Sequence, residues 1–122
     1  MNGSQITTRD KLLEIIESID LITEWSAGIQ QPVDFLTSSN SVMAFNACVM
    51  RLQVIGEQVG KLLKTQAALF ETHSEIPWLA IYDMRNIISH EYSNVDEVVV
   101  FSTIKDDLPH LRVVIEQMLN EL

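Results

Sequence analysis

The sequence predicts an all-α protein, an antiparallel four-helix bundle with one or two additional short helices. Four glycines and three prolines in 122 residues are too few for the many turns of an all-β domain. Apolar residues instead recur at the i, i+3, i+4, i+7 spacing of amphipathic helices along most of the chain. With 47% apolar and 20% charged residues the composition is globular, and we expect residues 1–122 to form one domain.

The first predicted helix runs from Arg9 to about Gly28. Thr7 or Thr8 can cap its start, and Gly28 suits its end. The connection that follows, "QQPVDFLTSSNS", predicts one short helical turn that starts at Pro32. The apolar face of this first helix comprises Leu12, Ile15, Ile16, Ile19 and Ile22.

A long second helix is predicted from about Ser41 to Thr65. Gly56 and Gly60 are four residues apart and therefore share one of its faces. Each costs about 1 kcal/mol relative to alanine inside a helix, so the close approach of another helix is the expected compensation. Its apolar stripe comprises Val42, Phe45, Val49, Leu52, Gly56, Val59 and Leu63.

Further helices complete the predicted bundle. The third is expected to begin near Pro77 and to end within "HEYS". Asn94 or Asp96 can cap the fourth, in which the β-branched run "EVVVFSTI" keeps helical spacing. The acidic pair that precedes Leu108 is expected to restart a last helix, with a bend in the path at Pro109.

Net charge and cysteine content exclude several classes of function. The chain carries −9, and its eight lysines and arginines are scattered, so it has no basic patch for gripping duplex DNA. The single cysteine, Cys48, lies in the apolar run "FNACVM" and is expected to be buried; without a disulfide framework, a reducing cytoplasmic location is expected. "MNGSQITTRDK" lacks the apolar core of a secretory signal, and no apolar run is long enough to span a membrane.

The segment "RNIISHEY" brings Arg85, His90 and Tyr92 together in one short stretch. On a regular helix Arg85 and His90 are offset by about 140° around the axis and by about 7.5 Å along it. The two side chains can meet at one phosphate if the helix loosens at His90, if the long arginine reaches round, or if a second subunit completes the site.

These residue types suit cleavage of a phosphodiester bond in RNA without a metal. An imidazole with a pKa near neutrality can take the proton of a 2′-hydroxyl or give one to the leaving oxygen. A guanidinium can stabilise the negative charge that develops on the phosphate. Structural roles fit as well: His90 at the negative end of a helix, and Arg85 in a salt bridge with Glu57 or Asp83. Spacing alone favours these structural roles.

Other candidate sites are weaker. In "ETHSE", Glu71, His73 and Glu75 alternate ahead of Pro77, which is more typical of a helix start than of a metal site. A phosphate-carrying role for a histidine at position 90 is disfavoured because the neighbouring Glu91 would repel the phosphoryl group. No metal or cofactor is expected.

Several segments, in order, carry a family resemblance. "RNIISHEY" matches an Arg-x4-His-x-Tyr motif, "RLQVIGEQVGKL" an Ile-Gly-Glu segment on the long helix, and "EIPWLAIYDMRN" the approach to the motif. "VDEVVVFSTIKDDLPHL" resembles the stretch that follows it, including Asp-Leu-Pro. From about residue 40 to the end, the chain thereby resembles the HEPN superfamily, and in particular the HepT toxins.

The resemblance implies an all-α bundle, usually a homodimer, that acts as the metal-independent endoribonuclease toxin of a type VII-like toxin–antitoxin pair. Arg85 and His90 would be the catalytic pair, with Asn86 as a supporting polar residue. Glu57 would orient Arg85 from the neighbouring helix. Tyr92 would be the residue to which an MntA-like nucleotidyltransferase antitoxin transfers AMP, which silences the toxin.

One departure from the family's usual Gly-Met-Arg-Asn run is Asp83, which precedes Met84. Its carboxylate, together with the acidic balance of the chain, predicts weak binding of single-stranded or loop RNA. The alternative function is that of a non-catalytic helical partner and substrate of a nucleotidyltransferase. In that case Tyr92 matters more than His90.

Overall fold

The computed structural model describes residues 3–122, and every regular element in that range is helical, which confirms the all-α class. Two 3-10 turns, Pro32–Leu36 and Tyr92–Asn94, and one π-helical turn, Thr103–Asp107, join or extend the α-helices. The first of these is the short turn expected at Pro32. The α-helices are α1 (Gly3–Trp25), α2 (Ser39–Thr65), α3 (Ala67–Glu71), α4 (Trp78–Glu91), α5 (Glu97–Ser102) and α6 (Leu108–Glu121).

The start of α1 differs from the prediction. The helix begins at Gly3, so Thr7 and Thr8 lie inside it and do not cap its start. The segment "GSQI" contains no proline to stop the helix from extending towards the N-terminus, and its polar residues are tolerated in a helix. At the other end α1 stops at Trp25, three residues before Gly28, and the hydroxyl of Ser26 donates to the Ile22 carbonyl at 2.7 Å.

The start of α2 is fixed by a reciprocal pair of serines. The Ser41 amide donates to the Ser38 hydroxyl at 3.0 Å, and the Ser38 amide donates to the Ser41 hydroxyl at 2.9 Å. These bonds satisfy backbone donors that a helix start leaves unpaired. The helix therefore begins at Ser39, two residues earlier than predicted.

An apolar core joins α1, α2 and α6. α2 packs against α1 on one side and α4 on the other, while α6 packs against α1. Arg51 donates to the Ser18 hydroxyl at 3.4 Å, and Cys48 lies against the Ile22 carbonyl, so α1 and α2 run antiparallel. Cys48 is buried as predicted, and burial raises the pKa of its thiol to about 11. Completely buried apolar side chains include Leu12, Ile15, Ile22, Leu52, Val59, Leu62, Ile115 and Met118.

The C-terminal helices form one continuous path. Asp96 caps α5, accepting the Val98 amide at 2.7 Å, as one of the two predicted caps. α6 begins at Leu108, directly after Asp107 as predicted, but the Asp107 side chain makes no capping hydrogen bond. The helical path from α5 continues into α6 through the π turn, in which the Leu108 amide donates to the Thr103 carbonyl five residues back. Pro109 has no amide proton and its ring would clash with the carbonyl four residues back in an α-helix, so the wider turn accommodates it.

Two glycines bring α4 close to α2, as their spacing predicted. A Cβ added at Gly56 would stand 2.5 Å from the Arg85 Cβ and 3.0 Å from the Ile81 carbonyl oxygen. One added at Gly60 would stand 2.4 Å from the Tyr82 ring. The absence of side chains at these positions allows the two helices to touch. Across residues 3–122, no helix combines the length and apolar character that a membrane span requires.

Candidate active site

A row of polar contacts crosses from α2 to α4 beside the two glycines; we call it the polar seam. The two helices are antiparallel here. Along the row, positions on α2 move towards its N-terminus while positions on α4 move towards its C-terminus. Its three pairs are Glu57 Oε1 with Arg85 Nη2 at 3.9 Å, Gln53 Nε2 donating to Ser89 Oγ at 2.9 Å, and Tyr92 Oη donating to Asn46 Oδ1 at 2.5 Å.

Arg85 is firmly placed but only partly hydrogen-bonded. Its Cβ lies over Gly56, and its side chain is 31% exposed. Nη1 donates to Asn86 Oδ1 at 3.1 Å, while the 3.9 Å to Glu57 is too long for a hydrogen bond. Nε is buried and has no acceptor among residues 3–122. A guanidinium carries five N–H donors, so this one retains donors for an anionic ligand.

His90 lies in the last turn of α4 and is exposed. Its imidazole makes no hydrogen bond or ion pair with any residue in the described range. The backbone leaves helical geometry at Glu91, with φ −136° and ψ 40°, one residue after His90. α4 therefore does not loosen at His90, and Arg85 faces α2 while His90 faces solvent. Arg85 and His90 can therefore meet at one phosphate only if the long Arg85 side chain reaches round the helix or if a second subunit completes the site.

Tyr92 begins the 3-10 turn after α4 and is 44% exposed. Its hydroxyl lies on Asn46, whose Nδ2 in turn donates to the Val42 carbonyl at 3.1 Å. Neither Asn46 nor Gln53 was expected from the sequence. Their seven-residue spacing, two turns on one face of a helix, is the signal that could have pointed to them.

A groove of about 660 Å³ lies between α4 and the path from α5 to α6. It was not predicted from the sequence. Its lining is largely apolar and includes Met84, Ile87 and Leu111. Asp83 also lines this groove. Of the two acidic residues considered as partners of Arg85, Glu57 is the one that lies against it. The acidic side chains of the groove are Glu75, Asp83, Asp106 and Asp107, which disfavour an RNA phosphate there.

His73 has structural contacts. Its imidazole Nε2 is 2.9 Å from Glu121 Oε1 and its Nδ1 is 3.8 Å from Glu75 Oε1. Its carbonyl accepts the indole N–H of Trp78 at 2.9 Å. The "ETHSE" segment thus ties the loop before α4 to the end of α6. Within the described part of the chain, no three His, Cys, Asp or Glu side chains come together in a way that could hold a metal ion.

Comparison with known proteins identifies the family. The family model described as "Ribonuclease HepT-like" matches residues 13–118. The chain is 34% identical to "Probable ribonuclease HepT" of Thermococcus cleftensis, over 85% of this chain and 88% of that protein. It is 31% identical to "Putative RNase TTE0752" of Caldanaerobacter subterraneus, over 94% of this chain and 96% of that protein.

A third relative is longer. "Gamma-glutamylcyclotransferase and putative RNase MJ0434" of Methanocaldococcus jannaschii is 32% identical over 91% of this chain, which spans 47% of that protein, about half its length. No solved structure matches the chain. The matched residues include α2, α4 and the whole polar seam. The chain therefore belongs to the ribonuclease HepT-like family, and its enzyme class is ribonuclease.

Proposed function

We propose that this chain is the metal-independent endoribonuclease toxin of a toxin–antitoxin pair and acts in the cytoplasm as a single domain. Arg85 and His90 are its catalytic residues. The observation that carries this proposal is that the C-terminal half of α4 holds both an incompletely hydrogen-bonded guanidinium and an imidazole without a polar partner in residues 3–122.

The chemistry uses these two side chains in different ways. His90 takes the proton of a ribose 2′-hydroxyl, and the oxygen forms a bond to the adjacent phosphorus. The bond from phosphorus to the 5′ oxygen breaks, and that oxygen gains a proton from water. Arg85 donates to the phosphate oxygens as their charge increases, while Asn86 and Glu57 hold the guanidinium in place.

A second copy of the chain brings the pair together in this proposal. α4 keeps the two side chains on different faces, so Arg85 of one subunit would act with His90 of the other. Leu79, which is 70% exposed, and Ile87, which is 53% exposed, flank the His90 side of α4 and supply apolar surface for a homodimer. Mixing Arg85→Ala with His90→Ala should then restore cleavage, because each mixed dimer holds one intact site. No recovery in mixed dimers would contradict the shared site.

RNA binding is expected to be weak and sensitive to salt. Lys61 and Lys64 are exposed and follow Glu57 by one and two turns along α2, on the side of the polar seam. They are the cations of α2 best placed to contact the phosphate backbone. The acidic groove on the other side of α4 would direct RNA towards the seam.

Silencing is proposed to occur at Tyr92 through an MntA-like nucleotidyltransferase antitoxin. The phenol oxygen attacks the α-phosphorus of ATP, an O–P bond forms, pyrophosphate leaves, and the phenol loses its proton. The exposure of Tyr92, on a turn beside His90, supports this assignment.

One assay tests the activity and its alternative together. Purified wild-type protein, His90→Ala and Tyr92→Phe are incubated with RNA in EDTA, with and without the antitoxin and ATP. We expect cleavage by the wild type, none by His90→Ala, and antitoxin-dependent loss of cleavage only where Tyr92 is present. A protein that gains one adenylyl group on Tyr92 but never cleaves RNA when unmodified would instead be a non-catalytic substrate of the nucleotidyltransferase.

A further inference from the structure

We infer that Asn46 is a positioning residue of the ribonuclease site. The hydrogen bond from Tyr92 to Asn46 is a latch that holds the end of α4, and with it His90, against α2. Attachment of a nucleotide to Tyr92 opens this latch. The inference rests on the proposed function, because it assigns a role to Asn46 in cleavage by His90 and makes the opening of the latch one part of the silencing of that cleavage.

In the sequence, His90 lies between two residues whose side chains contact α2. Ser89, the residue before His90, accepts from Gln53 at 2.9 Å, and Tyr92, two residues after it, donates to Asn46 at 2.5 Å. The backbone leaves the helix between these two contacts. Because the His90 imidazole has no polar partner of its own in residues 3–122, its position depends on the backbone that carries it. The two cross-helix bonds fix that backbone.

The contacts of Asn46 make this latch sensitive to modification. Its Nδ2 donates to the Val42 carbonyl, which orients Oδ1 towards the Tyr92 hydroxyl as an acceptor. Once Tyr92 Oη is bonded to phosphorus, it has no proton to donate to Oδ1. Turning the amide round would give up the bond to Val42 and would offer an N–H to an aryl ester oxygen, which is a poor acceptor. The modified side chain therefore leaves Asn46.

The opening should be local. The contact of Gln53 with Ser89 and the close packing of Gly56 on Arg85 lie further along the helices and do not involve Tyr92. Only the turn Tyr92–Asn94 and the last residues of α4 lose a contact with α2. The expected consequence is a slower chemical step with the same fold and the same affinity for RNA.

Replacements at Asn46 test whether the acceptor matters for cleavage. Asn46→Leu keeps the size without the acceptor, and Asn46→Asp keeps an acceptor; Asn40→Ala, an exposed asparagine on the same helix, is the matched control. We expect Asn46→Leu to lower kcat about threefold to tenfold with KM within about twofold, the effect of one hydrogen bond of ordinary strength. Asn46→Asp, which keeps an acceptor but loses the donor to the Val42 carbonyl, should keep more of the wild-type kcat than Asn46→Leu, and Asn40→Ala should cleave like the wild type. An unchanged kcat in Asn46→Leu, or a loss confined to KM, would overturn the inference.

The pairing with Tyr92 gives a second test. Tyr92→Phe should lower kcat as much as Asn46→Leu, and the double variant should be no slower than either single one, because both changes remove the same bond. Multiplicative losses would overturn the latch.

A spectroscopic measurement separates the latch from the proposed activity. The chain has three histidines, so the imidazole NMR signals of His73, His90 and His110 can be assigned individually. Asn46→Leu, Tyr92→Phe and AMP on Tyr92 should each shift the His90 signals and leave those of the other two unchanged. If the wild type cleaves no RNA, the proposed function fails while these shifts would still support the latch. Unmoved His90 signals would overturn it.

Discussion

The two sides of α2 show how one helix serves two different purposes. On its core side it presents Leu52 and Val59, which are completely buried among apolar side chains. Towards the end of α4 it presents Asn46, Gln53 and Glu57, which lie at a half-exposed seam of long or single polar contacts. The core is fully packed, whereas the seam leaves donors unused.

The apolar core and the polar seam contribute to different properties, the core to stability and the seam to the proposed chemistry. Burying apolar side chains stabilises the fold, whereas a buried N–H without an acceptor, as at Arg85 Nε, costs free energy. The burial of apolar side chains in the core offsets this cost. Changes in the core should therefore alter stability with cleavage per folded molecule unchanged. Changes in the polar seam should lower the rate of cleavage and leave the free energy of unfolding nearly unchanged.

The largest effect on stability is expected from the core. Leu52→Ala should lower the free energy of unfolding by about 2–5 kcal/mol, since it leaves a cavity under α2. Denaturant titration measures this loss. At a temperature where the variant stays folded, its kcat should equal that of the wild type. A kcat reduced in proportion to the stability loss would show that core and seam are not separable.

Gly56→Ala should lower both the stability of the fold and the rate of cleavage. Overpacking against the Arg85 Cβ and the Ile81 carbonyl costs about 1–3 kcal/mol, of which the better helix propensity of alanine returns about 1 kcal/mol. Cleavage should fall as well, because Arg85 must move. Gly28→Ala is the control, with nothing within 4 Å of the added Cβ. Equal behaviour of the two variants in unfolding and cleavage assays would contradict the close approach.

Glu57→Gln should change cleavage far more than stability. The pair with Arg85 is partly exposed, so its loss should cost less than about 1 kcal/mol. The guanidinium loses the charge that holds it, and we expect kcat to fall about tenfold, as small misplacements of a catalytic group do. Glu116→Gln, which removes a partner of Arg112 on α6, is the control and should leave kcat unchanged. Similar kcat values for both variants would exclude Glu57 from the site.

The smallest effect is expected at Asp20, which lies on α1 and takes no part in the polar seam. The hydrogen bond from Arg112 lowers the pKa of its carboxyl, so the folded state binds this proton less tightly than the unfolded state does. The resulting stabilisation is present above the unfolded pKa of about 4 and disappears as the pH falls through the lowered value. Asp20→Asn should lose less than about 1 kcal/mol at neutral pH, and thermal melts should show the gap to the wild type closing in acid. A difference in melting temperature that widens in acid would contradict a lowered pKa of Asp20 in the folded state.

Periodicity predicted most of the fold because burial decides these helices. The β-branched run of α5 formed a helix, and the Gly56/Gly60 pair marked the contact with α4. Helix starts were less predictable, as the extension of α1 past Thr7 and Thr8 shows, since capping residues are also tolerated inside helices. The π turn was missed because it depends on how Pro109 is accommodated rather than on apolar spacing.

The candidate site was proposed from the sequence only where its residues are close together along the chain or lie in a segment that resembles the family. Arg85, His90 and Tyr92 share one short motif, and the Ile-Gly-Glu segment pointed to Glu57. The partner of Tyr92 on α2 depends on the register between two helices, which the contact of Gly56 with Arg85 sets and which no local pattern records. The groove between α4 and the path from α5 to α6 could not be predicted either, because it depends on how these helices pack together.

The catalytic role of His90 is tested most directly by the rate of RNA cleavage in EDTA by His90→Ala compared with His110→Ala. Both histidines are exposed, and His110 lies on α6, outside the polar seam. With both variants folded like the wild type by circular dichroism, His90→Ala should lose at least about a hundredfold in rate, the usual contribution of a general acid or base. His110→Ala should keep the wild-type rate. Cleavage by His90→Ala at the wild-type rate would contradict the account.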